Sequence, residues 1–150
     1  MTILYWGLQW TGGILQNICG LALFLLNRKG EHFFYHGALV TVWKIRRCNC
    51  GCGMFIFMSP DCAGEKNTPL ARDEAFRRVL VHEFGHTVQS MILGPLFLIV
   101  AVLSPAWAFL PFFSAFRKKK GISYYAFITE STANYLGEKF TKEMSVGRKG

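Results

Sequence analysis

The N-terminal part of the chain carries no charged side chain before Arg28. Residues 3–26 form an apolar stretch that is long enough to cross the hydrocarbon core of a bilayer as one helix. Hydrophobic residues make up 51% of the sequence and charged residues only 17%, whereas a soluble domain carries charge on about a quarter of its residues. We therefore predict an integral membrane protein, with membrane lipid as a partner and a transmembrane helix over residues 3–26. The alternative is a buried helix in a soluble core.

The formal net charge of +8 is concentrated in basic clusters that lie next to apolar segments. These clusters are Arg28-Lys29, residues 44–47, residues 117–120 and the C-terminal tail. Positive residues beside membrane segments favour the cytoplasmic side, and this placement argues against nucleic acid as the partner. A second apolar stretch, residues 96–113, would separate two of the clusters if it crossed the membrane once. We therefore predict a helical hairpin or a re-entrant pair that bends near Ser104-Pro105 and keeps all of the clusters on one side.

Residues 33–45 are rich in aromatic and β-branched side chains, residues 46–53 are turn-rich, and residues 54–58 form another short apolar run. This pattern predicts a small β-hairpin over residues 33–58. An extended peptide can add to an exposed edge of such a hairpin as a further strand. Together with Cys62, the thiols near the turn indicate either a soft-metal or redox site or simply reduced cysteines in a loop. These thiols are Cys48, Cys50 and Cys52.

Thr68-Pro69 has the form of a helix N-cap followed by proline at the first helical position. We predict a helix over residues 69–93 and, after the basic cluster, another over residues 123–142. No repeat or linker divides the chain. Residues 1–150 are therefore predicted to form a single, mainly α-helical membrane domain that includes the small β-hairpin.

The first of these helices contains His-Glu-Phe-Gly-His at residues 82–86, which is an HExxH motif. Positions four apart share one face of a helix, so His82 and His86 can bind the same metal ion. Glu83 then lies where it can take a proton from a water molecule at the metal rather than bind the metal itself. The ligand type indicates zinc (Zn2+), and the alternative is a chance pair of helix-surface histidines.

Catalytic zinc sites use three protein ligands and keep one position open, so a third ligand is required. No further histidine follows the motif, which leaves the carboxylates. Glu138 and Glu143 lie towards the end of the chain, where fraying is expected. Asp73 and Glu74 precede the motif by two or more turns of the same helix, which is too far for a shared metal. Glu130 is therefore the predicted third ligand.

Residues 130–134, Glu-Ser-Thr-Ala-Asn, resemble the E-x-x-A-D segment of membrane gluzincins of the HtpX and CAAX-prenyl-protease type. The resemblance implies that Glu130 is the third zinc ligand. It also implies that Asn134, standing where the family has Asp, supports a ligand histidine. The segments HEFGHTVQS and TESTANYLG are also similar to those of a group of small bacterial membrane proteins. Within the first segment, Gln89 has two possible roles, which are contact with a ligand histidine and packing, and the sequence does not decide between them.

These features predict a zinc metallopeptidase that hydrolyses a peptide or membrane-protein substrate at or in the membrane. Given the basic flanks, we expect the bacterial inner (cytoplasmic) membrane, with the site near its cytoplasmic face. Two other functions stay open. One is a non-catalytic membrane scaffold that retains a structural metal site, and the other is a metal or redox sensor built on the cysteines.

Overall fold

The computed structural model describes residues 2–61 and 72–147. Over these ranges the chain is mostly helical and contains a small mixed sheet. In chain order, the elements are α1 (Thr2–Gly12), α2 (Ile14–Leu26), β1 (Glu31–Tyr35), β2 (Ala38–Val42), β3 (Cys50–Cys52), β4 (Phe55–Met58), α3 (Arg72–Leu93), α4 (Phe97–Phe109), α5 (Pro111–Lys120) and α6 (Ile128–Thr141). Short 3₁₀ turns precede α4 and α6, at Gly94–Leu96 and Tyr124–Ala126.

The N-terminal apolar stretch is two helices rather than the single helix predicted over residues 3–26. α1 and α2 meet at Gly13, with a bend of 105° between them. Polar side chains of both helices make buried hydrogen bonds: the Gln9 amide donates to the Thr87 carbonyl oxygen and the Asn17 amide to the Gln9 carbonyl oxygen, each at 2.7 Å. Buried polar groups need such partners, so the polar residues that interrupt the stretch also dock it on α3.

The sheet has the strand order β1-β2-β4-β3, and the single hairpin predicted over residues 33–58 is wrong. β1 and β2 form one antiparallel hairpin, which turns at His36 and Gly37 with positive φ. β3 and β4 form another, which turns at Gly53. The two hairpins join through parallel pairing of β2 with β4. The aromatic run therefore contains a turn of its own, and β3 becomes an edge strand.

The helix with the HExxH motif, α3, continues through a 3₁₀ turn into α4. Its predicted N-cap at Thr68-Pro69 lies outside the described residues. The predicted bend near Ser104-Pro105 is wrong, because this proline lies inside α4 and the chain leaves the helical conformation at Leu110. A residue that precedes a proline is disfavoured in the α region, and Leu110, which precedes the next proline, is extended.

Within the described ranges, the segment Asp73–Phe109 is long and apolar enough to cross a membrane. The bent pair α1–α2 is a second candidate if it counts as one span. A core helix of a soluble protein passes the same test of length and composition, so exposure is informative. Large apolar side chains of these helices are exposed, for example Leu26 at 83%, Val102 at 68% and Phe109 at 77%. The helices thus present an apolar outer surface that needs a cover.

The core lies between the sheet and α3, and α6 packs directly on α3. The buried apolar side chains of this core include Ala38, Val40, Ile56, Met58, Val79, Leu80, Phe84 and Val88. A Cβ atom at Gly85 would collide with the Ala133 carbonyl, and one at Gly137 would collide with the Val81 carbonyl. The two glycines therefore permit the close contact of α3 with α6 that brings Glu130 to the HExxH motif.

Candidate metal centre

The three predicted ligands meet between α3 and α6. The Glu130 Oε2 atom lies 3.2 Å from His82 Nε2 and 3.7 Å from His86 Nε2. The ligand atoms of the three residues all lie within 4.8 Å of one another, and all three side chains are buried. Two imidazoles and one carboxylate in this arrangement can hold a metal ion.

The other ring nitrogen of each histidine faces an amide oxygen. His82 Nδ1 lies 2.7 Å from Asn134 Oδ1, and His86 Nδ1 lies 2.7 Å from Gln89 Oε1. Both amides are oriented by their nitrogens, which donate to backbone carbonyl oxygens. An amide oxygen only accepts hydrogen bonds, so each Nδ1 carries a proton. The expected contact of Asn134 with a ligand histidine is thus present, and Gln89 contacts the other one.

With Nδ1 protonated, a neutral imidazole has its free lone pair on Nε2, the atom that faces Glu130. The Glu130 Oε2 atom is buried and has no hydrogen-bond partner among the described residues. Acceptor atoms this close repel one another unless a cation or additional protons lie between them. Burial alone would raise the pKa of Glu130, but hydrogen bonds from His82 and His86 in the imidazolium form, with a proton on Nε2 as well as on Nδ1, would hold the pKa well below the usual range. An ionised carboxylate beside two imidazole nitrogens fits a divalent cation.

A cavity of about 690 Å³ lies beside the three ligands. Its wall includes Glu83, which is buried next to His82 on α3 but is outside the ligand group. Gly51 of β3 packs directly on α3, because a Cβ atom there would lie 2.6 Å from the Glu83 carbonyl oxygen and 3.2 Å from the His86 Cβ atom. The edge strand of the sheet therefore lines the cavity next to the predicted base.

Two tyrosines of the 3₁₀ turn before α6 also line the cavity. The Tyr125 ring packs edge-on against the His82 ring, with the centroids 5.3 Å apart. The Tyr124 hydroxyl is hydrogen-bonded to Glu130. Burial, followed by the charge of Glu130, raises the pKa of Tyr124, so this hydroxyl keeps its proton at neutral pH.

The cysteines near β3 line the same cavity but do not form a metal cluster with one another. Cys48, Cys50 and Cys52 are free thiols, and burial raises the pKa of each. Cys62 lies outside the described residues. Within the ranges described above, the group of histidine, cysteine and acidic residues close enough to share a metal ion is His82, His86 and Glu130. The described cysteines therefore do not support the sensor interpretation.

Sequence reasoning missed two contributors to the site. Arg117 lines the cavity, but in the sequence it is one of four consecutive basic residues and nothing separates it from the other three. Ser104 of α4 lies with its Oγ atom 2.9 Å from the Oγ1 atom of Thr129, the residue before Glu130. Contacts of this kind depend on how the helices pack, and no local pattern indicates them.

Comparisons of the chain with protein-family models, with curated proteins and with solved structures found no match. The case for a function therefore depends on the residues of the site and on their geometry.

Proposed function

We propose that the protein is a membrane-embedded, gluzincin-like zinc metallopeptidase, in which His82, His86 and Glu130 hold the metal. The observation that carries this proposal is the convergence of two Nε2 atoms on the buried, otherwise unpartnered Oε2 atom of Glu130. Three protein ligands with one open position are typical of catalytic zinc, whereas structural sites use four. The cavity beside the ligands offers room for a substrate at that open position.

Zinc bound by these ligands would supply a Lewis acid that lowers the pKa of a water molecule to about 7. Glu83 lines the same cavity, and in the proposed reaction it accepts a proton from the attacking water and passes it to the leaving amine. Asn134 and Gln89 keep the two imidazoles in the tautomer that leaves Nε2 free. Metal binding, proton transfer and orientation of the imidazoles are then each assigned to named residues.

The edge strand β3 supports an extended peptide as the substrate. β3 pairs with β4 on one side, and no other described strand pairs with it. An extended chain can add to such an edge through its backbone hydrogen bonds, with little dependence on sequence. A peptide bound along β3 would lie in the cavity that contains Glu83.

The exposed apolar surface supports a location in the membrane. In this proposal, lipid covers the outer faces of α1, α2 and α4, and the basic residues 117–120 lie on the cytoplasmic side of a bacterial inner membrane. The substrate is then a peptide or membrane protein that reaches the site from this face.

The decisive experiment compares zinc content and turnover in Glu83→Gln, His86→Ala and wild type. Zinc is measured by mass spectrometry of the purified protein, and turnover by digestion of a pool of random octapeptides. Glu83→Gln should keep zinc and lose turnover by about 10²–10⁴-fold, whereas His86→Ala should lose both. Glu74→Gln, on the exposed surface of the same helix, is the matched control and should change neither.

A non-catalytic scaffold predicts a different result. Zinc-loaded wild type would then cleave no peptide in the pool, and Glu83→Gln would be indistinguishable from it. Retention of stoichiometric zinc by Glu130→Ala would separately remove the proposed third ligand.

A further inference from the structure

Arg117, in the last turn of α5, points into the cavity of the metal centre and is held there by aromatic rings. Its guanidinium carbon lies 5.4 Å from the centre of the Trp107 ring and 5.5 Å from the centre of the Tyr124 ring. One of its terminal nitrogens donates to the Ala108 carbonyl oxygen at 3.1 Å. Contacts with two rings and a carbonyl fix the position of this cation.

The guanidinium has no acidic partner among residues 2–61 and 72–147. Arg46, Arg77 and Arg78 each lie within 4.0 Å of a carboxylate, but Arg117 forms no such ion pair within the described part of the chain. Its Nε atom is buried and makes no hydrogen bond there. A partly buried cation without an acidic partner is costly, and a negatively charged ligand in the cavity would offset this cost.

Tyr124 connects this cation to the metal centre. Its ring contacts Arg117, and its hydroxyl is hydrogen-bonded to Glu130. One aromatic side chain therefore separates the guanidinium from a proposed zinc ligand. Arg117 also lines the same cavity as His82 and His86, so a peptide bound beside the proposed ligands can reach the guanidinium.

The chemistry of the guanidinium favours a carboxylate. Its planar donors match the two oxygens of a carboxylate, whereas an ammonium group is a point charge without this geometry. The neighbouring Lys118 is exposed and does not line the cavity. The peptide substrate already proposed for the cavity offers carboxylates at its C-terminus and on aspartate and glutamate side chains.

We infer that Arg117 is a substrate-binding residue that recognises a carboxylate of the peptide, near the bond to be cleaved. The inference rests on the proposed peptidase function. It narrows the substrate class to peptides with a free C-terminal carboxylate, or with an acidic side chain, next to the cleavage site. The aromatic rings of Trp107 and Tyr124 orient the guanidinium, and the anion neutralises its charge.

The test measures binding rather than turnover, so that it does not depend on catalysis. Zinc-loaded Glu83→Gln protein is titrated into fluorescein-labelled octapeptides made as free acids or as C-terminal amides, with or without acidic residues. The fluorescence anisotropy gives the affinity for each set. We expect one type of carboxylate to bind roughly ten- to hundredfold more tightly than its uncharged counterpart. Whether the preferred set is free acids or acidic side chains identifies the source of the carboxylate.

Variants of Arg117 in the same Glu83→Gln background assign the preference. Arg117→Ala should abolish it, Arg117→Lys should keep only part of it because the planar donors are lost, and Lys118→Ala should leave it intact. The zinc content of each variant shows whether its metal site is still folded. If Arg117→Ala does not fold, Arg117→Lys tests the inference in its place.

Equal affinities for charged and uncharged peptides, a preference that survives in Arg117→Ala, or no binding of any peptide would each overturn the inference. The inference would also be overturned if Arg117→Ala weakened the binding of anionic lipid vesicles but left the binding of peptides unchanged. Failure of the proposed function looks different, because peptides would then bind with the Arg117-dependent preference while wild type never cleaves them.

Discussion

Replacing Asn134 with alanine removes the oxygen that orients His82 without touching any proposed metal ligand. In the wild type, Asn134 Oδ1 lies 2.7 Å from His82 Nδ1, and the amide nitrogen donates to the Val146 carbonyl oxygen at 3.0 Å. Alanine leaves the buried Nδ1–H of His82 without an acceptor and frees the ring to rotate or to change tautomer. The other tautomer puts the proton on Nε2, where it competes with the metal.

The size of the effect follows from these two hydrogen bonds. Loss of a partner that orients a ligand histidine costs about 10–100-fold in metal affinity, and an unsatisfied buried donor costs about 1–3 kcal/mol of stability. Asn134→Asp is the informative counterpart, because it keeps the acceptor for His82 and adds a negative charge. A charge-assisted hydrogen bond is roughly twice as strong as a neutral one, so this variant should bind zinc more tightly than Asn134→Ala, and up to about tenfold more tightly than wild type.

The assay is competition for zinc between the purified protein and a fluorescent chelator, at pH 7.5 and constant ionic strength. Ser131→Ala, an exposed position on the same helix, controls for general effects on α6 and should bind zinc as wild type does. Wild-type affinity in Asn134→Ala, or weaker binding by Asn134→Asp than by Asn134→Ala, would refute the tautomer argument.

Three further outcomes are expected. Gly85→Ala should lower the free energy of unfolding by about 1–3 kcal/mol or more, because its Cβ atom would collide with the Ala133 carbonyl. The control Gly7→Ala, with open space around it, should be neutral or stabilising by about 0.5–1 kcal/mol, and thermal unfolding in detergent compares the two variants. Burial raises the pKa of Cys52 to about 11, so at neutral pH its thiolate fraction is about a hundredfold below that of an ordinary thiol. Its modification by N-ethylmaleimide, followed by mass spectrometry, should be slow at pH 7.5 and become faster as the pH rises. Rapid labelling at pH 7 would contradict the buried position of this thiol. Trypsin should cleave within residues 117–120 in inside-out vesicles but not in right-side-out vesicles, and the reverse would place the site on the other face.

The candidate metal centre was the part of the molecule most open to prediction from the sequence, because its two histidines depend on local geometry. On a helix, a spacing of four residues places His82 and His86 on one face whatever the rest of the chain does. Glu130 followed from the need for a third ligand and from the few acidic residues in the chain. The role of Gly85 and Gly137 as the contact between α3 and α6 needed the structure, since it depends on which helices are neighbours.

The N-terminal helices and the sheet were harder to predict for a related reason. Hydropathy over residues 3–26 is nearly uniform, and it does not show that Gln9 and Asn17 make buried hydrogen bonds across a bend at Gly13. The parallel pairing of β2 with β4 is likewise a non-local contact between two hairpins. A strand pattern indicates which residues are extended but not which strand lies beside which.

In a chain this apolar, buried polar contacts specify which surfaces meet, because apolar faces pack against lipid and against one another with little discrimination. The hydrogen bonds along the buried face of α3 illustrate this point. The Thr87 hydroxyl accepts from the Tyr5 hydroxyl of α1, the Thr87 carbonyl accepts from Gln9, and Gln89 joins His86 to the backbone of Thr129. The hydrogen bonds that orient His86 thus arise from the same turn of α3 as those that dock α1 on it. Since an unsatisfied buried group is expensive, a change that shifts this turn of α3 should disturb both the helix packing and the candidate metal centre.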